Sequence, residues 1–178
     1  MLFLIVRPSY AVNLTNTALF GLGFASGTVF HEVGHASVAL LQGGDIVSFQ
    51  FSKVLVKYDD ALSQAEFNQK CRAMVLGGYI AQSLASEVIL QNEQWHNNEF
   101  ALGWMSLGLL VNLSNPIRYY IFNQHNNDLG TYKRMGGDPL LPSMLMLAHA
   151  GFTLYRLFSE TDVPVYLGQN MIGIRMKF

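Results

Sequence analysis

Four stretches of this chain carry almost no charge. Each is long enough to form a helix that must bury itself in a core or in lipid. Thr17 to Gln42, "TALFGLGFASGTVFHEVGHASVALLQ", holds one formal charge, Glu32. Ala73 to Gln91, "AMVLGGYIAQSLASEVILQ", is charged only at Glu87, and Ala101 to Ile117, "ALGWMSLGLLVNLSNPI", is uncharged. Leu140 to Leu154, "LLPSMLMLAHAGFTL", has His149 as its only ionisable side chain. A bilayer-spanning helix needs about 20 mostly apolar residues, with roughly 17 as the lower limit. The first two stretches meet that length and the third sits at the limit. The fourth falls short unless Tyr155 to Phe158 extend it.

Small residues are scattered through these stretches: Gly21, Gly23, Ala25 and Gly27 in the first, Gly77, Gly78, Ala81 and Ala85 in the second. They let helices approach closely within lipid. Periodicity alone also admits a soluble bundle of buried helices, and a mean hydropathy of +0.24 is modest for four spans. Composition leans toward the membrane. The 178 residues are 51% hydrophobic and only 13% charged, about half the usual charged share. The formal net charge of −1 leaves no basic footprint for nucleic acid. A lone cysteine, Cys71, rules out an internal disulfide or a cysteine-based zinc knuckle and reads as an idle or buried thiol.

Together these features give a mainly α fold in a single domain over residues 1–178. About four hydrophobic helices, expected to be transmembrane, make a core over residues 17–158, with a short β-strand or hairpin after the first. Residues 1–16 form an ordered N-terminal stretch or a weak secretion signal, lacking a basic leader. Residues 159–178 are a tail in which Ile172, Ile174, Met176 and Phe178 alternate like one face of a strand. A single strand makes no outer-membrane barrel, and the helical stretches argue against one. "GGDIVSFQFSKVLVKY", rich in Val, Ile and Phe after a Gly-Gly breaker, reads as the strand or hairpin. In "DDALSQAEFNQKCR", Ser63 and Glu66 have the spacing of a capping box that opens the second helix.

The chemistry lies in "FHEVGHASVALLQGG", which holds the pattern His-Glu-x-x-His inside an otherwise uncharged run. On a helix, His31 and His35 stack one turn apart and can offer two imidazoles to one metal ion. Glu32 is placed to reach a water beside that ion rather than the ion itself. Desolvating a carboxylate and two imidazoles is expensive, so such groups in a greasy helix usually have a task. The expected metal is Zn2+, with Glu32 as the general base of hydrolysis.

A catalytic zinc normally has three protein ligands and an open position. Asp128, Glu87, His125, His149 and His96 are the candidates for the third. Glu87 shares an apolar helix, which suits a soluble zincin. His149 is as well explained by an ordinary hydrogen bond, and Asp128 in "HNNDLG" by a turn. If four spans alternate, the loops after the first and third lie on one side. They carry Lys53, Lys57, Lys70, Arg72, Arg118, Lys133 and Arg134, against Arg7, Arg156, Arg175 and Lys177 opposite. That bias puts the first set in the cytoplasm. The His pair points toward that face and Asp128 emerges there, which favours Asp128 over His96.

"FHEVGHASVALLQGGDIVSFQF" resembles the first core helix of the site-2 protease class of intramembrane zinc metalloproteases, with its small apolar residues, Gly-Gly turn and following strand. "VLGGYIAQSLASEVIL" resembles the next helix in the compact branch of that class. "NPIRYYIFNQHNNDLG" is similar to the late segment carrying Asn-Pro and then the aspartate ligand. In place of the family's Leu-Asp-Gly stands Asn127-Asp128-Leu129-Gly130, farther from Asn115-Pro116 than is usual. The resemblance implies that His31, His35 and Asp128 bind zinc, that Glu32 is the base, and that Asn115 holds substrate backbone or the oxyanion. It implies an endopeptidase acting on membrane or membrane-associated proteins. The lipid bilayer is its surroundings and a bacterial inner membrane its expected place. Polar residues around Asn112, Ser114 and Asn115 are expected to line a water-accessible cavity. Two alternatives remain. One is a soluble or periplasmic zincin with Glu87 as third ligand; the other is a catalytically silent membrane scaffold.

Overall fold

The computed structural model describes residues 14–160, 165–168 and 171–174. The N-terminal stretch up to residue 13, Arg7 included, lies outside the described residues, as do Arg175, Met176, Lys177 and Phe178 of the tail. In chain order the elements are α1 (Leu14–Leu41), β1 (Asp45–Gln50), β2 (Lys53–Lys57), α2 (Gln64–Leu90), α3 (Glu93–His96), α4 (Glu99–Tyr120), α5 (Asp128–Arg134), α6 (Leu140–Glu160), β3 (Val165–Gly168) and β4 (Met171–Ile174). Four long helices therefore coincide with the four apolar stretches, and an antiparallel hairpin, β1–β2, follows the first. The alternating tail is a second small hairpin, β3–β4.

Local chemistry sets the ends of these elements. α1 stops where Gly43 takes φ +75°, a conformation that costs glycine little, and the Gly44 N–H returns to the Ala39 carbonyl at 2.9 Å. The predicted capping box is present. Ser63 N–H donates to Glu66 Oε2 at 3.0 Å, while Ser63 Oγ accepts from the Glu66 N–H at 3.3 Å. α4 runs on through Pro116 to Tyr120 rather than ending at Asn115. "HNNDLG" is not a plain loop either: Asn127 caps α5 by accepting from the Gly130 N–H at 2.9 Å, and Asp128 is the first residue of that helix.

α1 is the central helix, packed on both α4 and α2, with α6 against α4 and α2. Glycine makes the closest approaches. The Phe100 carbonyl lies where a Cβ on Gly23 would stand, and the Phe20 carbonyl where a Cβ on Gly103 would stand. Gly34 and Gly77 face each other so that an added Cβ on either meets the other's carbonyl at 2.6 Å. Gln82, only 1% exposed, joins three helices: its amide donates to the Gly27 carbonyl and accepts from the Trp104 indole, each at 3.1 Å. Three apolar clusters complete the core. Ala39, Tyr58 and Cys71 seat the hairpin on α1 and α2. Tyr79, Leu129 and Met146 join α2, α5 and α6, and Leu90, Met105 and Leu157 close the far end. Cys71 is a buried free thiol.

Two of the described helices, α2 and α4, are long and apolar enough to cross a membrane. α1 does not reach that hydropathy despite its 28 residues, since its two histidines, one glutamate and several small or hydroxylated residues dilute it. α6 is long enough, with 21 residues, but Pro142, Ser143, His149 and Arg156 hold its hydropathy down. The third stretch passes where only the first two clearly met the length. Large apolar side chains nevertheless face outward on every long helix: Leu22 on α1, Leu110 on α4, Leu145 and Phe152 on α6, and the aligned row Ile80, Leu84 and Val88 on α2.

Candidate metal centre

His31 and His35 lie on the buried side of α1, where it meets α2. They are 7% and 5% exposed, and Glu32 is 9%. Their rings stand edge to face with centroids 4.6 Å apart, which brings the two Nε2 atoms to 3.1 Å. Room for both rings comes from Gly78. A Cβ there would stand 2.6 Å from His35 Nε2 and 2.8 Å from His31 Cε1. α2 also orients one imidazole: His35 Nδ1 lies 2.9 Å from the Met74 carbonyl. Nδ1 also lies 3.2 Å from the Gly78 N–H; with the hydrogen on Nδ1 toward the closer Met74 carbonyl, Nε2 turns a lone pair to the centre, the tautomer that suits a metal ligand. His31 Nδ1 is buried without a partner.

Asp128 supplies the third corner. Its Oδ2 is 3.4 Å from His31 Nε2 and 3.6 Å from His35 Nε2. Three electron-rich atoms facing one another this closely repel unless a proton or a metal cation sits among them. For tetrahedral zinc with bonds of about 2.0–2.1 Å, the ligand-to-ligand edge is about 3.3–3.4 Å. The observed edges of 3.1, 3.4 and 3.6 Å fit that figure and leave the fourth corner open. His31, Glu32 and His35 also present ligand atoms within 4.8 Å of one another, so the donor set can hold a metal ion. The Val54 N–H of β2 faces the Glu32 carboxylate. Burial works against ionising Asp128, but the two imidazoles beside it together outweigh burial and hold the carboxyl well below its usual range. About a third of its side chain, 34%, remains exposed, so the cluster has an opening to solvent.

The other candidates for third ligand lie elsewhere. Glu87 accepts from Arg156 Nη1 at 2.7 Å and lies 3.3 Å from His149 Nε2, and His149 Nδ1 meets Asn112 Nδ2 at 3.2 Å. These four form a separate polar knot between α2, α4 and α6. Asn112, expected beside water, is 2% exposed and buried against His149. His125 pairs with Asn123 at 2.7 Å. His96 ends the short α3, in the connection between α2 and α4. Asn115 directs its amide at the Val111 carbonyl of its own helix, 3.1 Å away, while its main-chain oxygen accepts from Asn127 Nδ2 at 3.4 Å. It therefore tethers the cap of the helix that begins with Asp128. The expected common side for the hairpin and the α5 region is consistent with two bonds: Lys70 donates to the Gln42 carbonyl at 2.6 Å, and Arg72 donates to that of Met135.

An apolar cavity of about 500 Å3 opens beside Phe30, Val88, Trp95, Phe100 and Trp104 and shares no residue with the His–Asp cluster. Sequence reasoning did not single out three contributors to the centre: Gly78 as space for the rings, the Met74 carbonyl as an orienting group, and Tyr79, whose ring meets that of His31 edge-on at 5.1 Å. The only signal was the "GGY" triplet inside an apolar helix. Against known proteins, the chain matches no family model, no curated protein and no solved structure.

Proposed function

We propose that this chain is a membrane-embedded, zinc-dependent endopeptidase similar to the site-2 protease class, hydrolysing peptide bonds in membrane or membrane-associated proteins. The observation that carries it is the near-equilateral triangle of His31 Nε2, His35 Nε2 and Asp128 Oδ2, with edges of 3.1 to 3.6 Å. Its third corner comes from a helix 97 residues away in sequence. Bound there, zinc supplies a Lewis acid that polarises a carbonyl and acidifies water.

The chain's own groups do the rest. Asp128 contributes the one full negative charge among the three ligands, offsetting part of the cation's charge in a poorly solvated place. Glu32, the residue after a ligand, takes a proton from the attacking water and returns it to the leaving amine. The opening beside Asp128 admits water. Lipid surroundings account for the outward rows of Leu, Ile, Val and Phe on α1, α2, α4 and α6, because a soluble monomer rarely exposes so much contiguous apolar surface. The contact of Glu87 with Arg156 at 2.7 Å favours this reading over a soluble zincin with Glu87 as third ligand.

The test is cleavage of a membrane-anchored protein substrate by the purified chain in lipid vesicles. The expected result is cleavage that stops with a zinc chelator and returns with added zinc. Cleavage that persists without metal overturns the proposal.

A further inference from the structure

Tyr79 is a phenol where a phenylalanine would pack equally well. It is 4% exposed, wedged among Leu129, Met146, Val111 and Tyr119, and set edge-on to the His31 ring at an interplanar angle of 83°. Its hydroxyl completes no hydrogen bond of full geometry, although the Asp128 carboxylate lies close enough to accept one. An unpaired buried hydroxyl destabilises a fold relative to its apolar isostere, so packing does not explain the oxygen. The charged groups facing it are Asp128 and, less strongly, Glu32. Leu129, the residue after Asp128, is fully buried in the same cluster as this ring, which ties the phenol to the start of α5.

Resting on the zinc reading above, we propose that Tyr79 is a positioning residue of the centre. Its hydroxyl donates to the Asp128 carboxylate, leaving one carboxylate oxygen for the metal and fixing the direction from which it approaches. α2 would then serve two of the three ligands, His35 through the Met74 carbonyl and Asp128 through the Tyr79 hydroxyl. Such outer contacts orient metal ligands and tune their donor strength. No proton is transferred; the hydroxyl stays a donor throughout. Glu32 is the weaker neighbour, so the base is left free for water.

The experiment uses the full chain in detergent and compares wild type with Tyr79→Phe. Zinc affinity is measured by chelator competition, and the visible spectrum is recorded after loading with Co2+. Expected is a roughly 10- to 100-fold weaker zinc affinity and a shifted Co2+ spectrum, with unchanged helicity and a thermal midpoint that does not fall. In an Asp128→Asn background, Tyr79→Phe should add nothing further. A second measurement does not depend on the variant folding: 3-fluorotyrosine placed at position 79 should change its fluorine resonance when zinc is added. Equal affinity and identical Co2+ spectra in the two proteins overturn this inference alone, as does a resonance indifferent to zinc. A wild type that binds neither zinc nor Co2+ overturns the zinc reading and this inference with it.

Discussion

Ninety-seven residues separate His31 from Asp128 in sequence, yet 3.4 Å separates the Nε2 of one from the Oδ2 of the other. α5 makes the meeting possible. Asn127 caps it, Asn127 Nδ2 ties it to the Asn115 carbonyl, and Leu129 anchors it in the core. The proposed metal centre is thus a tertiary object. Its histidines are local to one helix, and its carboxylate arrives only when the bundle closes.

Glu32 sits beside the ligands without being one of the three that form the triangle. Glu32→Gln is expected to retain zinc at wild-type stoichiometry while the rate of peptide hydrolysis falls about 10²- to 10⁴-fold, the usual share of a general base. Metal analysis and single-turnover cleavage on one preparation check both halves.

Gly78 and Gly77 are adjacent but predict different failures. A Cβ on Gly78 would stand 2.6 Å from His35 Nε2, so Gly78→Ala displaces the rings and weakens zinc binding while the bundle persists. A Cβ on Gly77 would strike the Gly34 carbonyl at 2.6 Å. That backbone cannot yield cheaply, and Gly77→Ala should cost about 1–3 kcal/mol of stability. Thermal midpoints and chelator competition separate the two.

The knot of Glu87, His149 and Arg156 ties α2 to α6, and on the proposed reading it holds no metal. Glu87→Ala leaves Arg156 without its 2.7 Å partner and is expected to cost about 1–3 kcal/mol with zinc content unchanged. Loss of zinc in this variant would restore Glu87 as a ligand.

Protons and zinc compete for the same nitrogens. Asp128 titrates well below the usual carboxylate range, so it stays charged as pH falls from 8 to 5. Falling pH supplies protons that compete for the imidazole nitrogens, and each proton bound excludes the metal. Zinc affinity should therefore be flat at high pH and fall at low pH by up to about 100-fold per pH unit, the slope for two histidines. Titration with a chelator at fixed pH values checks it.

Much of this was legible in sequence. The four apolar stretches mark α1, α2, α4 and α6, the Ser63–Glu66 spacing marks a helix start, and i, i+4 geometry joins His31 to His35. These are contacts within one element, which a linear pattern records. Asp128 was one candidate among several, because nothing in "HNNDLG" distinguishes a solvated turn from a helix pinned by Asn115, Tyr79 and Met146. Asn115 was expected at substrate backbone or the oxyanion, whereas α4 continues through Pro116 and the Asn115 side chain donates to the Val111 carbonyl of its own helix. The stretch that forms α1 met the length for crossing a bilayer, as did that of α2, but the histidines and glutamate of the site lower its hydropathy. Tyr79 entered only as part of the Gly-Gly-Tyr element that resembles the family's second helix, with no role of its own, since a tyrosine in an apolar helix looks like core until its surroundings are known.

The most direct test is the zinc content of the purified chain, wild type against Asp128→Asn. The account predicts about one zinc per chain in the wild type. In the variant it predicts an affinity lowered by more than about 100-fold, beyond what losing an outer contact costs, with helicity intact because Asn127 still caps α5. A wild type without zinc, or a variant that holds zinc as tightly as the wild type, would contradict it.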